Sequence, residues 1–152
     1  MTSFRDLLIS SKRREKQNNA IKRVARELLE RGQSVNDLDN VPPVRERSRD
    51  WAITRKSHLI SFPTCAACGG THKLQVHHIL PFACDPKLEL DRRNIITLCG
   101  TEFDGCHGDI GHPLGFLTYN PNIVEHANIL SKDLSQYERV KVLAQKQCLP
   151  IS

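Results

Sequence analysis

Residues 65–81 read CAACGGTHKLQVHHILP, and residues 88–112 read LELDRRNIITLCGTEFDGCHGDIGH. In the first stretch Cys65 and Cys68 bracket two alanines and precede Gly69 and Gly70, glycines that permit the tight turn aiming two thiolates at one ion. Cys99 and Cys106 follow about thirty residues downstream, with six residues between them. Four sulfurs complete a tetrahedron. A closed Cys₄ site leaves no position for water, so its ion folds a domain rather than doing chemistry, and structural Zn²⁺ is expected. A redox CxxC pair would require a βαβ setting and would leave Cys99 and Cys106 unexplained. Cys84 and Cys148 fit neither spacing and read as buried or incidental thiols.

Between the cysteine pairs, Leu74, Val76 and Ile79 mark a short strand carrying His77 and His78, and Ile95 to Leu98 marks a second strand, opened by Asn94. The intervening Pro81 to Arg93 reads as a loop. Neighbouring strand residues face opposite sides, so the two histidines receive different jobs unless the strand ends there. One imidazole can bind a metal. The other, neutral and unligated, can accept a proton from water. His107 and His112 add two more imidazoles beside the last cysteine. They are five residues apart, which on a regular helix separates them by about 140° at roughly 100° per residue. Gly108, Gly111 and Pro113 argue against a regular helix there.

Outward from this centre, Arg49 to Leu59 predicts a short helix with Trp51 and Leu59 available to pack, Arg49, Arg55 and Lys56 facing out, and Pro63 as its stop. From Asn122 to Gln147, Val124, Ala127, Leu130, Leu134, Tyr137, Val140 and Leu143 recur at helical spacing, predicting a helix that packs across the two strands. Phe4 to Arg31 reads as an amphipathic helix, with Ile21, Val24, Leu28 and Leu29 on one side and Gly32 closing it. Asn36, Asp37, Asp39, Asn40, Pro42 and Pro43 then mark a connecting segment. The expected organisation is a basic helical arm over 1–33, a linker over 34–48, and an α+β domain over 49–152. His58, His72 and His126 read as surface residues without a role.

Composition sets the class. Aromatic residues make up 5% of the chain and hydrophobic residues 39%, a thin core of the kind that relies on a metal staple. The net charge of +5 is uneven: residues 1–58 carry 14 Lys and Arg against 8 Asp and Glu, and the remainder 8 against 9. Attraction for a polyanion therefore belongs to the first third. No run approaches the roughly 18 apolar residues that span a bilayer, and Met1 to Arg14 lacks an export-type apolar stretch. A cytoplasmic protein with reduced thiols and no membrane partner is expected.

From about Trp51 to Asn122 the residues resemble the His-Asn-His (HNH) nucleases of the ββα-metal fold, most of all the small zinc-containing members encoded by bacteriophages. The resemblance rests on CAACGG, VHHILPF, LELDRRNIITLC, CHGDIGH and the following YNPN, in that order and spacing. It implies a ββα-metal core with a Cys₄ zinc knuckle, flanked by N-terminal and C-terminal helices. It implies a hydrolase that cuts DNA phosphodiester bonds, with His78 as the general base and His77 as a ligand of a catalytic divalent ion. Asn94 would hold the loop bearing the base in register. Two further histidines complete the metal site in colicin-type members, and here those positions fall on His107 and His112. The spacing of that pair departs from the family's, which leaves His112 open between ligand, phosphate contact and structural residue.

Mg²⁺ or Mn²⁺ is the implied activator, with Ni²⁺ or Zn²⁺ where imidazoles dominate. Arg92 and Arg93, with Lys73 as a further candidate, are expected to contact phosphate. Asp109 offers an oxygen but is not placed among the ligands. The implied setting is a bacterial host cell, with DNA as partner and terminase or other packaging proteins nearby. The rival reading is a zinc-knuckle nucleic-acid-binding protein without catalysis, which gives His77, His78 and Asn94 no reason to stand together. A zinc module for protein assembly is a third reading, and it leaves the basic arm unexplained.

Overall fold

The computed structural model describes residues 46–101 and 104–151, and between residues 15 and 30 a set of positions including Glu15, Ile21 and Arg26, all of them helical. The rest of the expected 1–33 arm, with Val24, Leu28 and Leu29, lies outside the described residues, as does the linker up to residue 45. The chain divides into two units, Met1–Glu46 and Arg47–Ser152. Among the described residues, no helix is long and apolar enough to cross a membrane.

The second unit mixes short helices and short strands. Helix α1 (Trp51–Ser61) turns Trp51, Thr54 and His58 inward and leaves Ile53 and Ile60 exposed. It ends just before the proline, as expected. Phe62 takes φ −129°, ψ 74°, outside the helical region that a following proline disfavours. Strands β1 (Leu74–His78) and β2 (Ile95–Cys99) pair antiparallel, with His77 opposite Ile96 and His78 opposite Ile95. The pleat sends the two histidines to opposite faces of this ribbon. His78 shares its face with Thr97, whose hydroxyl donates to the Phe62 carbonyl at the end of α1 (3.1 Å). His77 lies on the other face, against the segment after Cys106.

That segment, His107–Gly111, is a π-helical turn. Beyond it come β3 (Thr118–Tyr119), α2 (Ile123–Lys132), α3 (Tyr137–Gln147) and β4 (Leu149–Pro150), with β4 pairing back onto β3. The sequence predicts one helix over 122–147; the chain forms two. Asp133 is extended (φ −149°, ψ 95°), and its carboxylate accepts from the Ser135 backbone N–H (3.0 Å) and hydroxyl (2.6 Å). A short acidic side chain that bonds the backbone two residues on starts a new turn instead of continuing the old helix. The buried stripe shifts accordingly. Ile123, Ala127 and Leu130, then Val140 and Ala144, are buried, whereas Val124 and Leu134 are 52% exposed.

These residues join Leu98, Ile110, Cys65 and Cys106 in one core cluster. Its few large side chains each contribute about 1.5–3 kcal/mol. So small a core gains much from any ion that ties the elements together, and two cysteines sit inside it.

Candidate metal centres

The first centre is built from two tight turns. Around Cys65 the Cys65 N–H donates to the Gly70 carbonyl (2.7 Å), the Gly69 N–H to the Cys65 carbonyl (2.9 Å), and the Ala66 N–H to Thr97 of β2 (2.9 Å). Cys99 ends β2, and Gly100 and Gly105, both at positive φ, return the chain to Cys106. A Cβ on Gly105 would lie 2.8 Å from the Cys99 carbonyl oxygen, so that return requires glycine. The result brings the sulfurs of Cys65, Cys68, Cys99 and Cys106 within 4.8 Å of one another, with Cys68 and Cys99 at 3.4 Å.

A tetrahedral site with metal–sulfur bonds of ~2.3 Å has edges of about 3.8 Å, which fits this spacing. The acid–base chemistry fits too. The Cys106 thiol bonds to the Cys65 sulfur and holds Cys65 down at about 4, while burial pushes Cys99 up to about 11 and the bond to Cys65 pushes Cys106 upward. The group is compatible with a structural zinc ion.

The second centre gathers His77, His107 and His112, whose ligating nitrogens also lie within 4.8 Å of one another. Ring centroids are 5.2 Å apart for His77 and His107, 4.8 Å for His77 and His112, and 5.1 Å for His107 and His112. The 140° separation of an α-helix does not apply, because the His112 N–H donates to the His107 carbonyl (3.1 Å), an i→i+5 bond. A π-turn makes residues five apart successive neighbours on one side. Gly108 and Gly111 lie buried within that turn.

The imidazoles of His112 and His77 suit a cation. His112 Nδ1 faces the Thr118 carbonyl (3.1 Å), an acceptor only, so Nδ1 carries the proton and Nε2 is left as the lone-pair nitrogen. The Nε2 of His77 is buried without a hydrogen-bond partner. Burial first, and then the neighbouring imidazoles, hold His77 well below the usual histidine range, in the neutral form a ligand needs. Three imidazoles could hold one ion and leave it an open position.

Gly111 packs against the His77 ring. A methyl there would stand 3.0 Å from His77 Cε1 and 3.2 Å from its Nδ1. Gly111→Ala is expected to weaken Ni²⁺ or Co²⁺ binding about tenfold or more in a titration, with the zinc content of the cysteine site unchanged. Wild-type affinity in that variant would show that His77 need not be held where it is.

His78 stands apart from the three. It is 8% exposed and stacks on Trp51, with ring centroids 4.5 Å apart and planes 29° apart. Its Nε2 lies 3.0 Å from the Glu89 carbonyl, so Nε2 carries the proton and Nδ1 is the basic atom. Burial lowers its pKa, with the Glu89 hydrogen bond opposing the shift.

The loop that supplies this carbonyl is closed by buried Asn94. Its side chain accepts from the Leu80 N–H (2.8 Å) and donates to the Leu80 (3.0 Å) and Leu88 (3.3 Å) carbonyls. Its backbone carbonyl accepts from the Ile79 N–H (2.8 Å). Asn94 thus pins both ends of the 80–93 loop to the strand pair.

No family model, curated protein or solved structure matches the chain, so the site rests on its own chemistry.

The other candidates fall as follows. Arg93 is fully extended into solvent and paired with Asp91 (2.8 Å), and Arg92 leans on the Ser57 hydroxyl (3.5 Å). Asp109 faces away from a ligand role, accepting from the Tyr137 hydroxyl (3.0 Å) and pairing with Lys141 (3.0 Å) on α3. Cys84 and Cys148 are half-buried and outside the cysteine cluster. His58 and His126 are not surface residues: they are 8% and 3% exposed. His126 is buried because it follows Ile123 by one helical turn on the packed side of α2.

Two residues, Asn120 and Glu89, escaped the sequence reading, and Trp51, expected only to pack, has a specific partner. Asn120, fully buried, donates to the Ile110 carbonyl (2.8 Å), contacts His126 Nδ1 (2.8 Å) and accepts from the Asn122 N–H, tying the π-turn to the start of α2. Glu89 is buried beneath the 47–48 segment, and Trp51 faces the imidazole of His78 rather than the general core. Asn120 had a local signal in the YNPN turn; Glu89 had none.

Proposed function

We propose that the chain is a metal-dependent endonuclease of the HNH type, with the two strands, the π-turn and α2 forming a ββα-metal core that hydrolyses DNA phosphodiester bonds. One observation carries the reading. The end of a single strand delivers His77 to a three-imidazole cluster and His78 to the opposite face, where its Nε2 is tied to a loop carbonyl and Nδ1 is left with the lone pair. A purely structural zinc protein has no need of that division.

In this reading His78 takes a proton from water at Nδ1, and the hydroxyl so formed attacks phosphorus in line. Asn94 keeps the loop that fixes the tautomer of His78. An ion held by His77, His107 and His112 would supply positive charge to the phosphoryl oxygens and the departing 3′-oxygen. Arg92 is the better phosphate contact of the two arginines, since Arg93 already spends its charge on Asp91. The cysteine quartet would hold zinc and, by anchoring Cys106, fix the backbone from which His107 projects.

The 14 basic residues among the first 58 favour a polyanionic substrate. Work on a phage genome beside its packaging proteins, in the cytoplasm of a bacterial host, is the setting in which we place it.

The deciding experiment is plasmid nicking with the purified chain in EDTA, Mg²⁺, Mn²⁺, Ni²⁺ or Zn²⁺. Metal-dependent relaxation of supercoiled DNA is the expected result, with imidazole-preferring ions among the activators. Retardation of DNA without cleavage under every metal would replace the nuclease by a zinc-knuckle binding protein.

A further inference from the structure

A closed circuit of contacts surrounds the imidazole of His78, and one residue belongs to both of its halves. Glu89 is 3% exposed. Its backbone carbonyl receives the Nε2–H of His78 (3.0 Å). Its carboxylate holds the chain just ahead of α1: Oε1 accepts from the Arg47 guanidinium (3.2 Å) and Oε2 from the Ser48 N–H (2.8 Å). The Ser48 carbonyl in turn accepts from the Trp51 N–H (3.2 Å), and the Trp51 ring lies on the face of His78 at 4.5 Å. The guanidinium of Arg47 sits over Trp51 (5.1 Å) and Phe82 (4.5 Å).

A carboxylate this deeply buried is costly unless every lone pair it presents finds a donor. Among the described residues, its donors come from positions 47 and 48, more than forty positions away in sequence. A salt bridge serving only to stabilise the fold would not need to involve the residue whose carbonyl fixes the base. The circuit restrains the imidazole from turning about its Cβ–Cγ bond: its edge is held by the Glu89 carbonyl, and its face lies on Trp51, whose backbone is tied through Ser48 to the Glu89 carboxylate.

We propose that Glu89 is a positioning residue for His78, holding the imidazole's edge through its own carbonyl and its face through Arg47, Ser48 and Trp51. The proposal rests on the nuclease reading above for its effect on rate, but not for its effect on the histidine itself.

The test uses the full zinc-loaded chain and the variants Glu89→Ala, Glu89→Gln and Arg47→Ala. Glu89→Gln keeps an oxygen for the Ser48 N–H while removing the ion pair, and Arg47, 46% exposed in its side chain, can be truncated with less risk to folding. Single-turnover nicking at saturating DNA is expected to fall ~10- to 100-fold in Glu89→Ala, with half-saturating DNA within about twofold of wild type, and to fall less in the other two.

Nitrogen-15 NMR of the His78 ring should show a single Nε2–H tautomer in the wild type and a mixture in Glu89→Ala. The emission of Trp51, the one tryptophan, should shift with it. If Glu89→Ala does not fold, the same two spectral changes in Glu89→Gln and Arg47→Ala carry the test. Wild-type turnover and an unchanged tautomer in folded variants would overturn the proposal. A chain that cuts no DNA but still loses its tautomer in these variants would sink the nuclease reading and leave the clamp standing.

Discussion

His78→Ala is expected to lower plasmid nicking by ~10²–10⁴-fold, the range that a positioned general base contributes, while zinc stays bound at the cysteines. The direction follows from the atoms. Nε2 is committed to the Glu89 carbonyl, so Nδ1 is the only basic nitrogen His78 offers to water, and alanine removes it. The ring is also 8% exposed and stacked on Trp51, so truncation opens a space beside α1 and costs some stability. A lowered Tm could then imitate a lost base.

His78→Gln separates the two effects, because glutamine fills most of the space and can still donate to the Glu89 carbonyl, yet has no basic nitrogen. Both variants should be equally inactive and differ in melting temperature. Full activity in a folded His78→Gln chain would remove His78 from the mechanism. The partner experiment is His77→Ala, which should weaken ion binding at the imidazole cluster and leave the tautomer of His78 unchanged, since the two rings lie on opposite faces of the strand pair.

How much of this could be read beforehand depends on the range of the interaction. The cysteine quartet was legible because each half is a short motif whose turn demands glycine, and the strand register then brings the halves together. The opposite facing of His77 and His78 follows from strand periodicity alone. His112 was not legible in the same way. Helical arithmetic assumes i→i+4 bonding, and the His107–Gly111 turn bonds i→i+5, a geometry that the glycines allow but do not announce.

The C-terminal helix was misread only at Asp133, where a side chain competing for the backbone outweighed apolar spacing and broke it in two. His126 could have been found, since it lies one turn from Ile123. Glu89 could not. Its partners are Arg47 and Ser48, and no local pattern marks a carboxylate that will be buried by a segment so distant.

The second large effect is expected from the cysteines. Cys65→Ser or Cys106→Ser should abolish stoichiometric zinc and with it the cooperative melting of residues 47–152. Both side chains are 2% exposed and belong to the same cluster as Leu98, Ile110 and Ile123, so the ion would be bonded to the core itself and not to an appended loop. Structural zinc contributes about 10–16 kcal/mol of apparent binding energy in small domains, as large as the whole net stability of a typical fold, about 5–15 kcal/mol. Even ~4 kcal/mol of loss would lower Tm by roughly 15–30 °C in a unit of this size.

Serine keeps the shape of cysteine but is a poor zinc ligand, so the loss reports the metal bond more than the packing. Cys84→Ser and Cys148→Ser, outside the quartet, should retain zinc and melt near the wild type. Atomic emission on the purified variants and a melting curve followed by circular dichroism give both readings. If Cys65→Ser and Cys106→Ser keep their zinc and melt like the parent, the four cysteines are not its ligands. The expected result also orders the two centres. His107 directly follows Cys106, so losing the cysteine site should scatter the imidazole cluster as well, whereas His77→Ala should leave the cysteine site and its zinc intact.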